Sequence, residues 1–430
     1  MSESKSRVLD RRLVVVSAIL IQLCLGSLYA WSVFTPYLKE APFSFSNTQT
    51  QVIFSVSLAV FAIVMVMAGR WQAKSGPHIV ALTGGIVLGA GYILAGLLGQ
   101  NFITQLIFIG IVGGAGIGLA YVCPLAVSMK WFPDKKGLIA GLAVAGFGFG
   151  ATIWVKLAGS WGNLLENMGV LNVFLLYGVI FAAVVIGSSF WMVNPPDGWK
   201  PKGWNPSSNQ NKNNKATGTG LDNYDSKTML KSWQFKGLWV MFLFSSMAGL
   251  LVIGNMKLFG IEVLQDRQGL SAIEASAIAG TAIGVFYSLA NGLGRIIWGT
   301  ISDKIGAKTA LILMCIFQSI AMLSLYWMAG SQILLYIVAA VIGFNFGGNF
   351  SLFPTMTADL FGSQQVGVNY GWVFTAYGMG GIVGPVLAGV VRDSGLNWLV
   401  AFIVCSIACL IAAGIGSQLK SLPAKPAESN

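Results

Sequence analysis

Long apolar runs alternate with short polar segments along the whole chain. A run of about 20 apolar residues is long enough to cross a bilayer as an α-helix. The first run follows Arg11 and Arg12, lacks a small-residue cleavage site and is too long for a signal peptide, so we interpret it as a retained membrane helix. The pattern predicts an all-α integral membrane protein with twelve transmembrane helices, at about 13–36, 49–69, 79–99, 103–129, 138–161, 169–193, 236–261, 272–299, 309–329, 331–356, 367–391 and 395–418.

A polar segment at 194–235 divides these helices into two sets of six. Asn, Lys, Gly, Ser and Pro dominate this segment, which is typical of a linker. We interpret it as a flexible cytoplasmic connector, with a regulatory segment as the alternative. The predicted organisation is therefore an N-terminal six-helix half at 1–193, the linker, and a C-terminal six-helix half at 236–430.

The two halves repeat each other at one constant offset of 230 residues. Parallel repeats of six helices on either side of a long loop are typical of transporters whose substrate site lies between two pseudo-symmetric bundles. Arg295 falls opposite Met65 and Asp303 opposite Ala73, so the two charges are not part of the shared scaffold. The coincident pairs are Gly69 and Gly299, Gly76 and Gly306, Gly113 and Gly343, Gly118 and Gly348, Pro124 and Pro354, Gly137 and Gly367, Gly141 and Gly371, Gly148 and Gly378, and Gly150 and Gly380.

The charged residues agree with a membrane protein and predict its orientation. They make up 10% of the chain, whereas soluble proteins average about 25%. If the N-terminus is cytoplasmic and the helices alternate in direction, twenty of the 26 Lys and Arg residues fall inside and three outside. The net charge of +11 is thus an orientation signal and not a nucleic-acid footprint. We expect a monomer in the cell (inner) membrane with both termini in the cytoplasm.

Residue types that carry catalysis or bind metals are scarce. All five cysteines lie in apolar segments, and Cys405 and Cys409 share a helix face without an accompanying His or acid. The one histidine, His78, lies at a helix end. The sequence contains neither a phosphate-binding loop nor paired acids in the membrane, so we expect no enzyme activity, cofactor or metal site.

The segment 290–308 carries Arg295 inside an otherwise apolar helix. About 12 Å of helix separate Arg295 from Asp303, which places the cation near the bilayer midplane. Tyr287 and Asn291 precede it at spacings of four, so the three side chains are predicted to share one helix face. A guanidinium beside an amide and a phenol is suited to one carboxylate. The alternative is an internal ion pair, but the nearest acids fall at helix ends: Asp303, Asp359, Glu262 and Glu274.

Aromatic residues at helical spacing accompany this cation in two later helices. Phe346 and Phe350 are one turn apart, and Phe374 and Tyr377 nearly so. We predict that these rings wall an apolar box for the small carbon body of an anion, while Arg295 binds its charge. The alternative for each ring is ordinary helix packing.

Several motifs resemble those of a known family. The pattern at Gly299, Asp303, Gly306 and Lys308 is similar to the cytoplasmic gating-loop motif of the major facilitator superfamily. Within it, WFPDKKG (131–137), the Asn291 and Arg295 pair and NYG (369–371) resemble the oxalate/formate antiporter family, which includes bacterial monocarboxylate transporters. The resemblance implies the major facilitator fold and an anion site formed by Leu28, Tyr29, Tyr121, Asn291, Arg295, Phe346, Phe350, Phe374 and Tyr377.

Two departures from the family pattern affect the expected chemistry. Oxalate exchangers carry a lysine where this chain has Tyr377, so one cation remains and a monocarboxylate is the better match. Animal monocarboxylate transporters have an aspartate four residues before the arginine, where this chain has Asn291. Proton coupling is therefore a hypothesis, with Tyr377, Glu262 and Glu274 as candidate coupling residues.

We predict a secondary active transporter of small monocarboxylates, of the lactate, pyruvate, glycolate or formate class, that works by alternating access with proton coupling. The first alternative is an anion exchanger of the oxalate/formate type. A drug or other-solute exporter is disfavoured by a midplane cation, and a carboxylate-sensing receptor on a transporter fold remains a further alternative.

Overall fold

Long α-helices make up most of the computed structural model, which describes residues 10–159, 161–196, 199–201 and 224–420. We number the long helices in chain order and treat a helix with an internal 3₁₀ or π turn as one. They are α1 (Arg11–Leu25, the 3₁₀ turn Gly26–Ala30 and Trp31–Lys39), α2 (Asn47–Ser75), α3 (Pro77–Leu98), α4 (Phe102–Trp131), α5 (Lys136–Ala158), α6 (Leu164–Ser189), α7 (Trp233–Gln268), α8 (Ala272–Ile305), α9 (Ala307–Met328), α10 (Gln332–Phe361), α11 (Val366–Asp393) and α12 (Trp398–Gln418).

The predicted all-α membrane fold is confirmed. Among the described residues, eleven helices are long and apolar enough to cross a membrane, and α11 adds a helix of 28 residues. Several helices extend past the predicted apolar runs. The helix α7, for example, covers 36 residues, from a Ser232 cap to Gly269 in the left-handed conformation. Hydropathy marks only the part of a helix inside the hydrocarbon region, whereas capping residues set its ends.

The predicted linker is described only at its two ends. Its middle part, 202–223, lies outside the described residues. At the far end, a short linker helix, Ser226–Lys231, precedes α7. Asn369 of α11 fixes this end, because its Nδ2 donates to the Tyr224 carbonyl at 3.0 Å and its Oδ1 accepts from the Ser226 hydroxyl at 3.0 Å. The Asn of the NYG motif thus attaches the returning linker to α11.

Glycines bring the first six helices against the last six along two seams, α5 with α8 and α2 with α11. A Cβ on most of these glycines would overlap the facing backbone, so only glycine permits the approach. The two seams are related by the 230-residue repeat, since each pair in one has its counterpart in the other. The pairs in the α5–α8 seam are Gly137 with Gly299, Gly141 with Arg295 and Gly148 with Gly292, and those in the α2–α11 seam are Gly367 with Gly69, Gly371 with Met65 and Gly378 with Ala62.

These contacts lie in one half of the bundle. They extend from the helix middles to the terminal end of the bundle, by which we mean the end where α1 begins and α12 ends. The repeat therefore produces a closure with approximate two-fold symmetry at that end.

Candidate anion-binding site

Arg295 lies where the α5–α8 seam reaches the middle of the bundle, and its side chain is fully buried. Its Nε donates to Asn291 Oδ1 at 3.0 Å, one helical turn away, as the spacing of four predicts. Its Nη1 donates to the Val144 carbonyl of α5 at 2.8 Å. Its Nη2 has no hydrogen-bond partner among the described residues. The guanidinium is therefore held at two points and keeps one nitrogen free to bind a further acceptor.

Aromatic rings flank this guanidinium, one from each set of six helices. The Arg295 Cζ lies 4.1 Å from the ring centroid of Phe350 on α10 and 5.3 Å from that of Phe147 on α5. Cation–π contacts of this kind contribute up to about 2 kcal/mol when the cation is desolvated. No carboxylate of the described chain forms a salt bridge with Arg295, since the recorded pair is Arg11 with Asp134. The internal ion pair considered above is therefore not observed.

The hydroxyl of Tyr121 is a second buried group without a partner. Tyr121 is 1% exposed, and its oxygen makes no hydrogen bond within the described part of the chain. Its ring lies 5.7 Å from Phe147 and 5.4 Å from Phe374, measured between centroids. Its hydroxyl nevertheless lies beside the Arg295 guanidinium, close enough for a weak hydrogen-bonding interaction that falls short of normal geometry. The structure thus brings Tyr121 and Arg295 together around the same aromatic rings.

Three of the predicted wall residues form one cluster. The ring centroid of Phe374 lies 4.9 Å from that of Tyr377 and 6.4 Å from that of Phe350. The Tyr377 hydroxyl is hydrogen-bonded to the hydroxyl of Tyr29, which connects α11 to α1 across the two sets of helices. Four predicted site residues therefore meet beside Arg295, and two of them form a direct bridge between the halves of the chain.

Other predicted residues lie at the margin of this cluster. Phe346 contacts Phe350 at 5.3 Å but packs its ring against Gly249 of α7. Leu28, in the 3₁₀ turn of α1, lines a small crevice with Trp31 and Tyr92. The hydroxyl of Tyr287 donates to the Gly249 carbonyl at 3.3 Å, and Tyr287 lies within electrostatic range of Arg295 and Tyr29. A π turn at Ala282–Tyr287 precedes the regular helix that carries Asn291 and Arg295.

The predicted gating motif closes the terminal end of the α5–α8 seam. The two carboxylate oxygens of Asp303 accept from the backbone N–H groups of Gly137 and Leu138, each at 2.8 Å. These N–H groups belong to the first turn of α5, where the helix dipole favours a negative charge. The other members shape the following turn: Gly306 has φ +86°, and Lys308 Nζ donates to the carbonyls of Ser417 and Leu419 at the end of α12.

The two candidate coupling acids lie at the opposite end of the bundle. Glu262 Oε2 accepts from the Trp398 indole at 3.0 Å. Glu274 is exposed and closes a capping box with Ser271 at the start of α8. Of the three coupling candidates, the structure places only Tyr377 in the central cluster.

Sequence reasoning missed the contribution of α5. Val144 and Phe147 hold and cover the guanidinium, yet both look like ordinary apolar residues in the sequence. The available signal was the glycine-rich string around them, since Gly141 and Gly148 allow α8 to approach closely. Tyr370 of α11 was missed as well: it is fully buried, and its hydroxyl has no partner among the described residues.

Comparisons with known proteins agree with this architecture. The sequence model of the Major Facilitator Superfamily matches residues 18–331 and 269–429. The uncharacterized MFS-type transporter YhjX of Escherichia coli (strain K12) is 30% identical over 379 residues, which cover 86% of each chain. The oxalate:formate antiporter of Oxalobacter formigenes is 27% identical over 94% of this chain and 90% of its own. The apicoplast pyruvate carrier 1 of Toxoplasma gondii is 24% identical over 84% and 80%, respectively.

Proposed function

This chain belongs to the major facilitator superfamily, and from that premise we propose that it is a secondary active transporter of small monocarboxylates. The observation that carries the proposal is the fully buried Arg295, whose Nη2 has no partner in the described chain and lies among aromatic rings between the two sets of helices. The printed names of the Oxalobacter and Toxoplasma relatives, which concern oxalate, formate and pyruvate, support a carboxylate as the substrate.

The charge of the site supports a monoanion. A buried ion in a medium of low dielectric constant is costly unless an opposite charge accompanies it. Arg295 supplies one positive charge, and the neighbouring site residues Asn291, Tyr121 and Tyr377 supply hydrogen bonds without charge. One carboxylate neutralises the site, whereas a dicarboxylate brings a second negative charge that no described cation of the cluster matches.

The seams support an alternating-access mechanism. The bias of Lys and Arg favours a cytoplasmic terminal end, and with that orientation the glycine contacts and Asp303 close the cytoplasmic side. Binding of an anion neutralises Arg295 and thereby lowers the cost of enclosing the site in apolar surroundings. The two sets of helices then rock about the site and separate at the seams, which exposes the substrate to the cytoplasm.

Proton coupling belongs to this proposal, with Tyr377 as the candidate that lies in the site. Its hydroxyl is bonded to that of Tyr29, so a proton held between them is next to the substrate. An exchanger of the oxalate/formate type is the second candidate, favoured by the 27% identity to the Oxalobacter antiporter.

Uptake of labelled lactate, pyruvate, formate and oxalate into proteoliposomes tests the proposal. The monocarboxylates are expected to accumulate when a proton gradient is imposed, and Arg295→Ala is expected to abolish their uptake. Lys257→Ala is the matched control, because it removes an exposed cation of another membrane helix that takes no part in the glycine contacts of the seams. If Arg295→Ala transports as well as the parent, the anion site is wrong. Uptake that needs an internal anion and ignores the gradient identifies an exchanger instead.

Tyr377→Lys tests the one-cation argument. It adds a second positive charge beside Arg295, so we expect oxalate to compete with pyruvate uptake at least about tenfold more strongly than it does in the parent, a change of about 1.4 kcal/mol. The competition by propionate, a monoanion, is the internal control. Unchanged competition by oxalate would show that the number of cations does not set the selectivity.

A further inference from the structure

Tyr370 is a buried hydroxyl that the proposed mechanism has not used. It is 0% exposed, and its oxygen has no hydrogen-bond partner among the described residues. A polar group buried in a membrane protein without a partner costs free energy, since no bulk water can replace the missing bond. A hydroxyl retained under these conditions is therefore expected to have a partner at another stage of the cycle.

The ring contacts place Tyr370 next to the anion site. Its centroid lies 5.6 Å from that of Phe374, the same ring that Tyr121 approaches from the other side at 5.4 Å. It is within electrostatic range of both Tyr121 and Arg295. Since Tyr370 precedes Phe374 by one turn on the terminal side, it forms the cytoplasmic floor of the cluster.

Three buried groups that make no hydrogen bond of normal geometry in the described chain thus lie around two neighbouring rings: the Tyr121 and Tyr370 hydroxyls at Phe374, and Arg295 Nη2 at Phe350. The repeat shows that this set is not a feature of the scaffold. At the offset of 230 residues, Tyr370 falls on Ala140 and Arg295 on Met65, neither of which can form a side-chain hydrogen bond of this kind. Two of the three donors, Arg295 and Tyr370, therefore lie in the C-terminal half and have no counterpart in the N-terminal half.

We infer that Tyr370 binds the oxygen at carbon 2 of a 2-oxo or 2-hydroxy monocarboxylate. This rests on the proposed function: Arg295 Nη2 and Tyr121 bind the two carboxylate oxygens, and Tyr370 binds the third oxygen. Such an acid presents three acceptors on adjacent carbons, which matches the three donors. Formate and simple fatty acids present two and leave one buried hydroxyl unpaired. The substrate class thus narrows to acids of the pyruvate, lactate and glycolate type.

Tyr370→Phe tests this inference because it removes the oxygen and keeps the ring. Lactate, pyruvate and propionate differ only at carbon 2, so each is measured as a competitor of labelled pyruvate uptake into proteoliposomes. In the parent, lactate and pyruvate are expected to compete better than propionate. In Tyr370→Phe, the ratio of pyruvate to propionate affinity is expected to fall by about 5- to 10-fold, the usual effect of one buried hydrogen bond. Tyr121→Phe is the matched control, expected to weaken all three acids alike.

The thermal stability of the free protein provides a second measurement. Removal of an unpaired buried hydroxyl is expected to leave the melting temperature of Tyr370→Phe unchanged or raised. A lower melting temperature would show that the hydroxyl has an internal partner and would overturn the inference. An unchanged affinity ratio, or an equal loss for propionate and pyruvate, would overturn it too. If the Tyr370 inference fails but uptake still requires Arg295, the proposed transport function stands. If uptake survives Arg295→Ala, both the proposed function and the inference about Tyr370 are wrong.

Discussion

Replacement of Asp303 by alanine tests how the closure at the terminal end of the bundle is stabilised. The exposed carboxylate of Asp303 accepts two backbone hydrogen bonds at 2.8 Å from the first turn of α5, and these join α8 to the other set of helices. The repeat provides the reason for choosing alanine, because Ala73 occupies the equivalent position in the first half. Asp303→Ala therefore makes the second copy of the motif resemble the first.

The expected magnitude follows from the geometry. Hydrogen bonds to a charged group contribute about 1.5–3 kcal/mol each when shielded from water. Solvent screening at an exposed carboxylate lowers this to about 1 kcal/mol each. The loss of two such bonds destabilises the closed conformation by about 2 kcal/mol, which shifts the balance between the closed and open forms by about 30-fold.

Alkylation of a reporter cysteine measures this shift. Ser302→Cys places a thiol in the seam, since Ser302 is 4% exposed and its hydroxyl lies against Gly137. The five native cysteines are buried and give a low background. We expect a water-soluble maleimide to label the reporter up to about 30-fold faster in Asp303→Ala, and at the parent rate in the control Lys304→Ala. A labelling rate in Asp303→Ala within twofold of the parent would refute the reasoning.

Three further substitutions give graded outcomes. Gly299→Ala places a Cβ against the backbone of Gly137 and is expected to raise the labelling rate of the Ser302→Cys reporter. Gly414→Ala is the control, because no atom lies within 4 Å of its added Cβ, and it is expected to leave that rate unchanged. Equal rates in the two variants would exclude a role for close packing. Phe350→Leu is expected to lower the melting temperature in detergent more than Phe147→Leu, because its ring lies nearer the guanidinium, at 4.1 Å against 5.3 Å; the reverse order would contradict the cation–π contact. Asn369→Ala removes two hydrogen bonds to the returning linker and is expected to speed its limited proteolysis several-fold, with an unchanged rate as the contrary result.

The helical architecture was predictable because the bilayer imposes a simple pattern on the sequence. Apolar runs of about 20 residues locate the membrane helices, and the 3.6-residue period correctly predicts that Asn291 supports Arg295. The helix ends were less predictable, since α7 and α8 continue into polar sequence that hydropathy does not detect.

The remainder of the candidate site depends on contacts that no local pattern encodes. Val144 accepts from Arg295 through its backbone carbonyl, so its side chain carries no signal. Phe147 is one of many phenylalanines, and only the packing of α5 on α8 distinguishes it. The phenol of Tyr287 donates to the Gly249 carbonyl of α7, a long-range contact that hydrophobicity does not encode. Long-range packing therefore limits what the sequence reveals.

The seam contacts do not depend on the charged side chain of the candidate site. Gly141 meets the backbone of Arg295, and its counterpart Gly371 meets the backbone of Met65, so neither contact depends on the side chain at 295 or 65. A duplicated ancestral half would have supplied two equivalent positions for a charge, of which this chain has filled one. The side chain at either position can therefore change without disturbing the backbone contacts that close the terminal end. The backbone at 65 and 295 thus forms the close contacts between the halves, whereas the side chain at 295 supplies the charge of the candidate site.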